Sequence, residues 1–328
     1  MSRFETVLRT QPFGAEQIVA RIPAHWALRR TPMQWLIAMG ARVVDEVLAR
    51  HALVPASGAL ILIPPEPFRV PSLSDPGHPM ASLASRVAER VGADFQRVTQ
   101  TQGGGAAALA EALDLARQLL GEPSLTYVLV AATDTYVLEA DYERLERAGR
   151  LGTSRQAQGL TPGEGAACVL LTLPTLEGPH TPGASTAEPT ALLTGWAAAH
   201  EQDSATSDRY SQGKARVEAL RCATQHAGVL EPSLGWILSN DNGERYAAWE
   251  ATLAHARFFR TRRARLCTVL PAMSVGETGS AGALLALLAC AHRFIHAAGQ
   301  AESAVVELGS EAGGRSACVV VPRKERSP

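Results

Sequence analysis

The chain has 328 residues, 46% of them hydrophobic, and a formal net charge of −1. Because 31 basic residues nearly balance 32 acidic ones, no chain-wide field favours nucleic acid or an anionic membrane, and small-molecule or protein partners are expected. The first residues lack a signal-peptide core, and no apolar run approaches the roughly 20 residues that span a bilayer, which predicts a cytoplasmic protein without a membrane span. The five cysteines are scattered, without a CxxC pair, which indicates reduced thiols and no zinc site.

Short aliphatic runs alternate with longer alanine- and leucine-rich stretches, as expected for an α/β protein with buried sheets. In chain order, the first part predicts a helix over 32–51, a strand over 59–63, helices over 81–91 and 105–120, a strand over 125–131, a helix over 139–148 and a strand over 167–173. The second part predicts strands over 191–196, 236–239, 266–270, 304–308 and 317–321, and helices over 213–227, 247–259 and 281–298.

A segment rich in proline, glycine, serine and threonine separates two halves. We predict an N-terminal half over 1–173, a connection over 174–189 and a C-terminal half over 190–328. An internal repeat supports this division, because GEGAACVLL and GGRSACVVV each close a half, and each half also has a glycine cluster that runs into an alanine/leucine helix. A duplicated α/β unit is the interpretation we favour over coincidence.

The run VLVAATDTYVLEADYERLERAGRLGTSRQAQGLTPGEGAACVLL over 128–171 resembles the segment of β-ketoacyl synthases that ends in their PGEGAA strand. GWILSNDNG lies where those enzymes carry their first catalytic histidine, MSVGETGSAGA resembles the loop that carries the second, and 313–321 resembles their C-terminal loop and strand. The resemblance covers roughly 30–322. It implies a duplicated five-layer αβαβα thiolase fold with two mixed sheets, and a homodimer in which strands of the two subunits join.

Active members of that family use a cysteine at a helix N-terminus, where the helix dipole lowers the thiol pKa, and two histidines. Here the nucleophile position falls on Gly105, or on Gly103 or Gly104 if the register slips. The first histidine maps to Asn240, or to Asp241. The second maps to Gly276, or to Glu277 with a one-residue gap, and Pro271 replaces the usual lysine. None of these residues supports conventional condensation, so we predict no catalytic residues.

Polar residues near these vestigial positions are candidates for a ligand pocket. The candidates are Gly103, Gly104, Asn240, Asp241, Asn242 and Glu277. Asn, Asp and Gly are equally ordinary turn formers, so both interpretations stay open. The glycine run lacks the Lys-Ser/Thr of a phosphate-binding loop, and no cofactor is expected.

Two further patterns have a structural and a functional interpretation. His292 and His296 have a spacing that could chelate a metal from one helix face, but no acid of an HExxH motif stands between them. Core packing or simple solvent exposure of the two imidazoles is therefore favoured, and no metal is expected. The run RFFRTRRAR follows His255 and has five arginines. It is either a solvated face or a surface for an acidic partner or a carrier-protein phosphopantetheine arm.

The leading functional hypothesis is an inactive synthase relative that acts as a binding, assembly or adaptor protein. Degenerate synthase-like proteins of this kind are associated in bacteria with type VI secretion clusters, so the resemblance implies a secretion effector or adaptor, or an acyl carrier protein, as partner. One alternative is an acyltransferase or decarboxylase with a non-standard site. The other is a partner of an active synthase that resembles a chain-length factor.

Overall fold

The computed structural model describes residues 3–7, 17–22, 30–75, 79–153, 156–174, 191–207, 209–263, 265–296 and 301–323. The strands are β1 (Arg3–Val7), β2 (Gln17–Arg21), β3 (Gly58–Ile63), β4 (Arg97–Gln100), β5 (Tyr127–Thr135), β6 (Glu164–Leu171), β7 (Ala191–His200), β8 (Leu234–Ser239), β9 (Cys267–Val269), β10 (Ser303–Gly309) and β11 (Gly314–Pro322). The helices are α1 (Pro32–His51), α2 (Val70–Leu73), α3 (Leu83–Val91), α4 (Leu109–Leu120), α5 (Glu139–Arg147), α6 (Lys214–Ala227), α7 (Arg245–Phe258), α8 (Ala272–Val275) and α9 (Ala281–His296).

Local sequence explains the sharp start of α1. The Thr31 hydroxyl accepts the Gln34 N–H and the Gln34 side chain accepts the Thr31 N–H, which completes a capping box, and Pro32 occupies the first helical position. Its apolar face, which includes Met33, Leu36 and Val44, is buried. The observed bounds match the predicted helix.

Two mixed sheets repeat one pairing pattern. In the first, of order β4-β3-β5-β6, β3 is parallel to β4 and β5, and β6 is antiparallel to β5. In the second, of order β7-β11-β10-β8-β9, β8 is parallel to β9 and β10, and β11 is antiparallel to β10. The chain before 172 supplies the first sheet and the chain after 190 supplies the second. The predicted connection over 174–189 lies, beyond Pro174, outside the described residues.

The two sheets enclose a central helical layer. Helices α4 and α9 contact both sheets, and their aliphatic side chains form one apolar cluster with the facing strands. Helices α1 and α3 cover the other face of the first sheet, and α6 and α7 cover the other face of the second. The protein is therefore a duplicated five-layer αβαβα structure with two mixed sheets, as predicted.

The central helices bring the loops at the ends of the strands together. The N-terminus of the α4 segment lies beside the loop after β10, and the loop after β8 lies beside the loop that precedes α9. Within the described ranges, no helix is both long and apolar enough to cross a membrane.

Candidate functional site

Gly105, to which the resemblance assigns the nucleophile position, is at the entrance to the α4 segment with φ 76° and ψ −178°, a backbone region essentially restricted to glycine. A Cβ atom at this position would lie 2.5 Å from the Glu66 Cγ and 2.7 Å from the Ser310 Oγ. Both distances are below any ordinary carbon contact. Two other side chains therefore fill the space that a nucleophile at this position would occupy.

Ser310 also occupies the positive end of the helix. Its Oγ accepts the N–H of Ala107 at 2.9 Å, in the first turn of the segment that continues into α4. Free N–H groups at such a position would otherwise stabilise an anion. The preceding glycine loop is also bonded internally, because the Glu111 carboxylate accepts the N–H of Gly103 at 3.0 Å and the Pro64 carbonyl accepts the N–H of Gly105 at 2.9 Å.

Glu66 links the two halves of the chain. Its carboxylate accepts the backbone N–H groups of Glu311 at 2.7 Å and Ala312 at 2.8 Å, and the residue is 4% exposed. Burial raises its pKa to about 7, against the two backbone hydrogen bonds, which lower it. Glu66 is thus a protonatable group close to neutral pH that lies directly beside Gly105.

Asn240, to which the resemblance assigns the first histidine position, is paired with the backbone of Gly309. Its Nδ2 donates to the Gly309 carbonyl and its Oδ1 accepts the Gly309 N–H, both at 2.8 Å. This reciprocal pair ties the loop after β8 to the end of β10. Both ends of the Asn240 amide are used within the protein.

Glu277 and Asn242 form a second bonded group. The Asn242 Nδ2 donates to the Glu277 carboxylate at 2.5 Å, and the other Glu277 oxygen accepts the Gly279 N–H at 2.7 Å. Burial raises the pKa of Glu277 to about 7, against these two hydrogen bonds, which lower it. Next to it, Gly276 has φ 73° and ψ −179°, and a Cβ there would lie 2.9 Å from the Thr161 carbonyl oxygen.

These groups surround a cavity of about 70 Å³. Its lining includes Asn240, Asp241, Asn242 and Glu277 from the predicted set, whereas Gly103 and Gly104 are not part of it. Since one ordered water needs roughly 10–15 Å³, the cavity has room for only a few water molecules.

Ion pairs close the cavity wall. Six carboxylates line it, from Glu66, Asp241, Glu244, Glu250, Glu277 and Glu311, together with the guanidinium groups of Arg150 and Arg315. Arg150 pairs with Glu244 at 2.7 Å and with Glu311, and Arg315 pairs with Glu250 at 2.9 Å. Asp241 pairs with Arg216 at 2.7 Å. Within the described residues, no cluster of His, Cys, Asp and Glu has the geometry to hold a metal ion.

Three of the five thiols are poor nucleophiles. Cys168, Cys290 and Cys318 are buried in the core, and burial raises the pKa of each thiol, for Cys318 to about 12. Cys222 and Cys267 are half-buried and lie outside the cavity lining.

Sequence reasoning missed Glu66, Ser310 and Arg150. Glu66 stands in a proline-rich loop and Ser310 in a turn, and isolated polar residues in such places carry no pattern that distinguishes them from solvated ones. The resemblance predicts which positions lack catalytic side chains. It did not identify which side chains fill the space.

No protein-family model matches the chain, and no curated protein matches it. Solved structures do match, and those described here are 12–14% identical to the chain. AntDE:AntF, a type II polyketide synthase acyl-carrier protein in complex with its ketosynthase, is 14% identical, with 98% of this chain and 92% of that chain covered and a TM-score of 0.75. A β-ketoacyl synthase from Burkholderia phymatum STM815 is 14% identical, with 94% and 88% covered and a TM-score of 0.71.

A ketosynthase in complex with its chain length factor from Xenorhabdus doucetiae is 13% identical, with 98% and 90% covered and a TM-score of 0.66. Two other similar chains are longer, and this chain spans 58% of the bacillaene synthase ketosynthase from Bacillus subtilis 168 and 35% of a ketosynthase–chain length factor named PfaC. These likenesses, together with the repeated sheet pattern, show that the chain has the thiolase-like fold of ketosynthases and chain-length factors.

Proposed function

We propose that the chain is a non-condensing thiolase-fold protein that works by binding other proteins. One observation carries the proposal: Glu66 and Ser310 fill the space beside Gly105 where a condensing enzyme of this fold needs a nucleophile. Loss of a catalytic side chain alone would leave an empty pocket. A filled pocket with internally bonded polar groups favours a site that no longer admits substrate.

The volume of the cavity supports the same conclusion. An acyl group and its thioester arm need a tunnel, and ligand pockets ordinarily measure about 300–1,000 Å³. The cavity here measures about 70 Å³. Asn240 and Asn242 donate their amide hydrogens to groups within the protein.

A binding role as a chain-length-factor-like partner of an active ketosynthase is supported by an open sheet edge at β4. The described strands include four edge strands of the mixed sheets, which are β4, β6, β7 and β9. Of these, β4 pairs only with β3 among the described strands, so its outer edge presents unpaired backbone groups. The resemblance implies that strands join across a subunit interface, in a homodimer or in a heterodimer with a ketosynthase. The ketosynthase–chain length factor complex among the similar structures supports the heterodimer.

Two narrower roles rest on the resemblance alone. One is a cytoplasmic adaptor that loads a type VI secretion effector, and the other is a partner of an acyl carrier protein. The similar structure that contains an acyl-carrier protein is consistent with the second role.

The test compares turnover with assembly. Purified protein is incubated with acyl- and malonyl-thioesters while released products are followed by chromatography, and native mass spectrometry records the chain alone and co-expressed with a cysteine-bearing ketosynthase. We expect no thioester-dependent product, and a defined dimer in one of the two samples. Turnover that disappears in Asn240→Ala or Glu277→Gln would instead support the acyltransferase or decarboxylase alternative.

A further inference from the structure

A groove on the outer surface of the C-terminal half has a different character from the cavity. It lies between α6 and the C-terminal end of α7 and measures about 480 Å³. Its lining consists of Lys214, Val217, Glu218, Arg221, Cys222, Arg257 and Arg260. Four of these seven side chains are cationic and one is anionic, in a chain whose net charge is −1. The groove is therefore a local concentration of positive charge.

The four cationic side chains of the groove are exposed. Within the described residues, none of the four forms an ion pair. Arg257 donates to the Gln212 carbonyl and Arg260 to the Ala256 carbonyl, so each guanidinium keeps donors for another group. Nearby Arg263, in contrast, is paired with Glu231. Lys214 also stands in the first turn of α6, where the helix dipole disfavours a cation.

Polar contacts to the buried Glu307 hold both walls of the groove. Arg216 anchors the first turn of α6 to Asp241 at 2.7 Å and to Glu307 at 3.5 Å. The His255 ring fixes the end of α7 to the same Glu307 at 2.8 Å. The walls are thus positioned before any partner arrives, which lowers the entropy lost on binding.

We propose that this groove, lined by Lys214, Arg221, Arg257 and Arg260, is the docking site for an acidic segment of a partner protein. The cations match carboxylates in charge, and buried Val217 with half-buried Cys222 gives an apolar floor for the segment's other side chains. A nucleic-acid backbone or an anionic membrane fits less well, because Glu218 lies within the groove and the chain has no net positive charge. This inference deepens the proposed function and rests on it, since it places the partner on the molecule.

The probe is a short labelled peptide of glutamate and leucine, with a glutamine-for-glutamate analogue as its neutral match. Binding is followed by fluorescence anisotropy at low and high salt, and peptide protection of Cys222 from alkylation gives a positional readout. The test variant is Arg257→Glu/Arg260→Glu. The control is Arg50→Glu/Arg147→Glu, because Arg50 and Arg147 are also exposed arginines in the last turns of helices.

We expect the acidic peptide to bind, to protect Cys222 and to weaken with salt. The groove variant should lose about tenfold in affinity and the control variant should match wild type, since about 1.4 kcal/mol of lost ion pairing corresponds to tenfold. Failure of the peptide to bind, equal losses in both variants, or tighter binding to oligothymidine or to phosphatidylserine vesicles would overturn the proposal.

The outcomes distinguish failure of the groove as a docking site from failure of the proposed non-condensing function. Thioester turnover by the wild-type protein contradicts the proposed function whatever the peptide does. If the wild-type protein shows no thioester turnover and the acidic peptide does not bind, only the proposal of a docking site in the groove is contradicted.

Discussion

The cavity around Gly105 and the groove between α6 and α7 differ in volume and in how their polar groups are partnered. The cavity measures about 70 Å³, and its glutamates and asparagines bond to groups within the protein. The groove measures about 480 Å³, and its cations have no ion pairs among the described residues. The polar groups of the cavity are thus bonded within the protein, whereas the cations of the groove keep donors for another group. Substitutions should therefore change stability in the cavity and binding in the groove.

The largest expected effect is at Gly105. Gly105→Ala should lower the free energy of unfolding by about 4 kcal/mol, because it combines a glycine-only backbone conformation with overlap against Glu66 and Ser310. Urea denaturation measures the change. Gly149→Ala is the matched control, since Gly149 also has a positive φ, of 63°, but a Cβ there would have no atom within 4 Å.

The control substitution should cost about 1 kcal/mol, for the backbone conformation alone. Equal losses at Gly105 and Gly149 would show that the space beside Gly105 is empty, against the filled-pocket account.

The next largest effect is a pH dependence of the free energy of unfolding, which arises from Glu66 and Glu277. Burial raises each pKa from 4.5 to about 7, so the folded state binds protons more tightly than the unfolded state. Their contribution to stability is fully present below about pH 4.5 and is lost as the pH rises to about 7, by up to about 3 kcal/mol each. Glu66→Gln and Glu277→Gln should each flatten the stability profile across this window.

Chemical unfolding at a series of pH values measures that slope against wild type. Glu89→Gln serves as the control, because the Glu89 side chain is exposed and, among the residues that the structure describes, pairs only with Arg86 on the same helix. An unchanged slope in both cavity variants would mean that these glutamates titrate as ordinary solvated groups.

A smaller effect is expected at Asn240. Asn240→Ala removes both hydrogen bonds to Gly309 and leaves a backbone N–H and a carbonyl without their partner, which should lower the free energy of unfolding by about 2 kcal/mol. Thermal unfolding measures the loss, with exposed Gln118→Ala as the control. An Asn240→Ala variant with unchanged stability would indicate that water replaces the amide and that the loop remains open to a ligand.

The smallest stability effect is expected in the groove. Arg257→Glu/Arg260→Glu should change the free energy of unfolding by no more than about 0.5 kcal/mol, because both side chains are exposed and neither is in an ion pair with a described residue. The same urea experiment measures it. A loss as large as that at Gly105 would remove the distinction between the two regions.

The sequence predicted the regular elements best where local and tertiary signals agree. Helix α1 was predicted with its observed bounds because the capping box, Pro32 and the apolar face all agree. Strand β5 was predicted over 125–131 but extends to Thr135, because Thr133, Asp134 and Thr135 look like a polar turn in sequence and are fully buried in the structure. Arg69 explains the difference, since it pairs with Asp134 at 2.6 Å from a distant loop.

Strand β4 was missed because its sequence, RVTQ, is short and polar, as suits a strand with one open edge.

At the site, the resemblance predicted which positions lack catalytic side chains, and the fold places Asn240, Asn242 and Glu277 on one cavity. Glu66 contacts Glu311, which is 245 positions away in the chain, and Ser310 contacts Ala107, which is 203 positions away. No local sequence pattern encodes contacts over such separations. Ligand binding by the cavity stays a prediction.

The most direct test of the account is intact-mass spectrometry of the wild-type protein after incubation with acyl- and malonyl-thioesters of coenzyme A and of a carrier protein. We predict an unchanged mass, because Gly105 offers no nucleophile and its surroundings are filled. A stoichiometric acyl adduct, located by peptide mapping on any side chain of the cavity, would contradict the account.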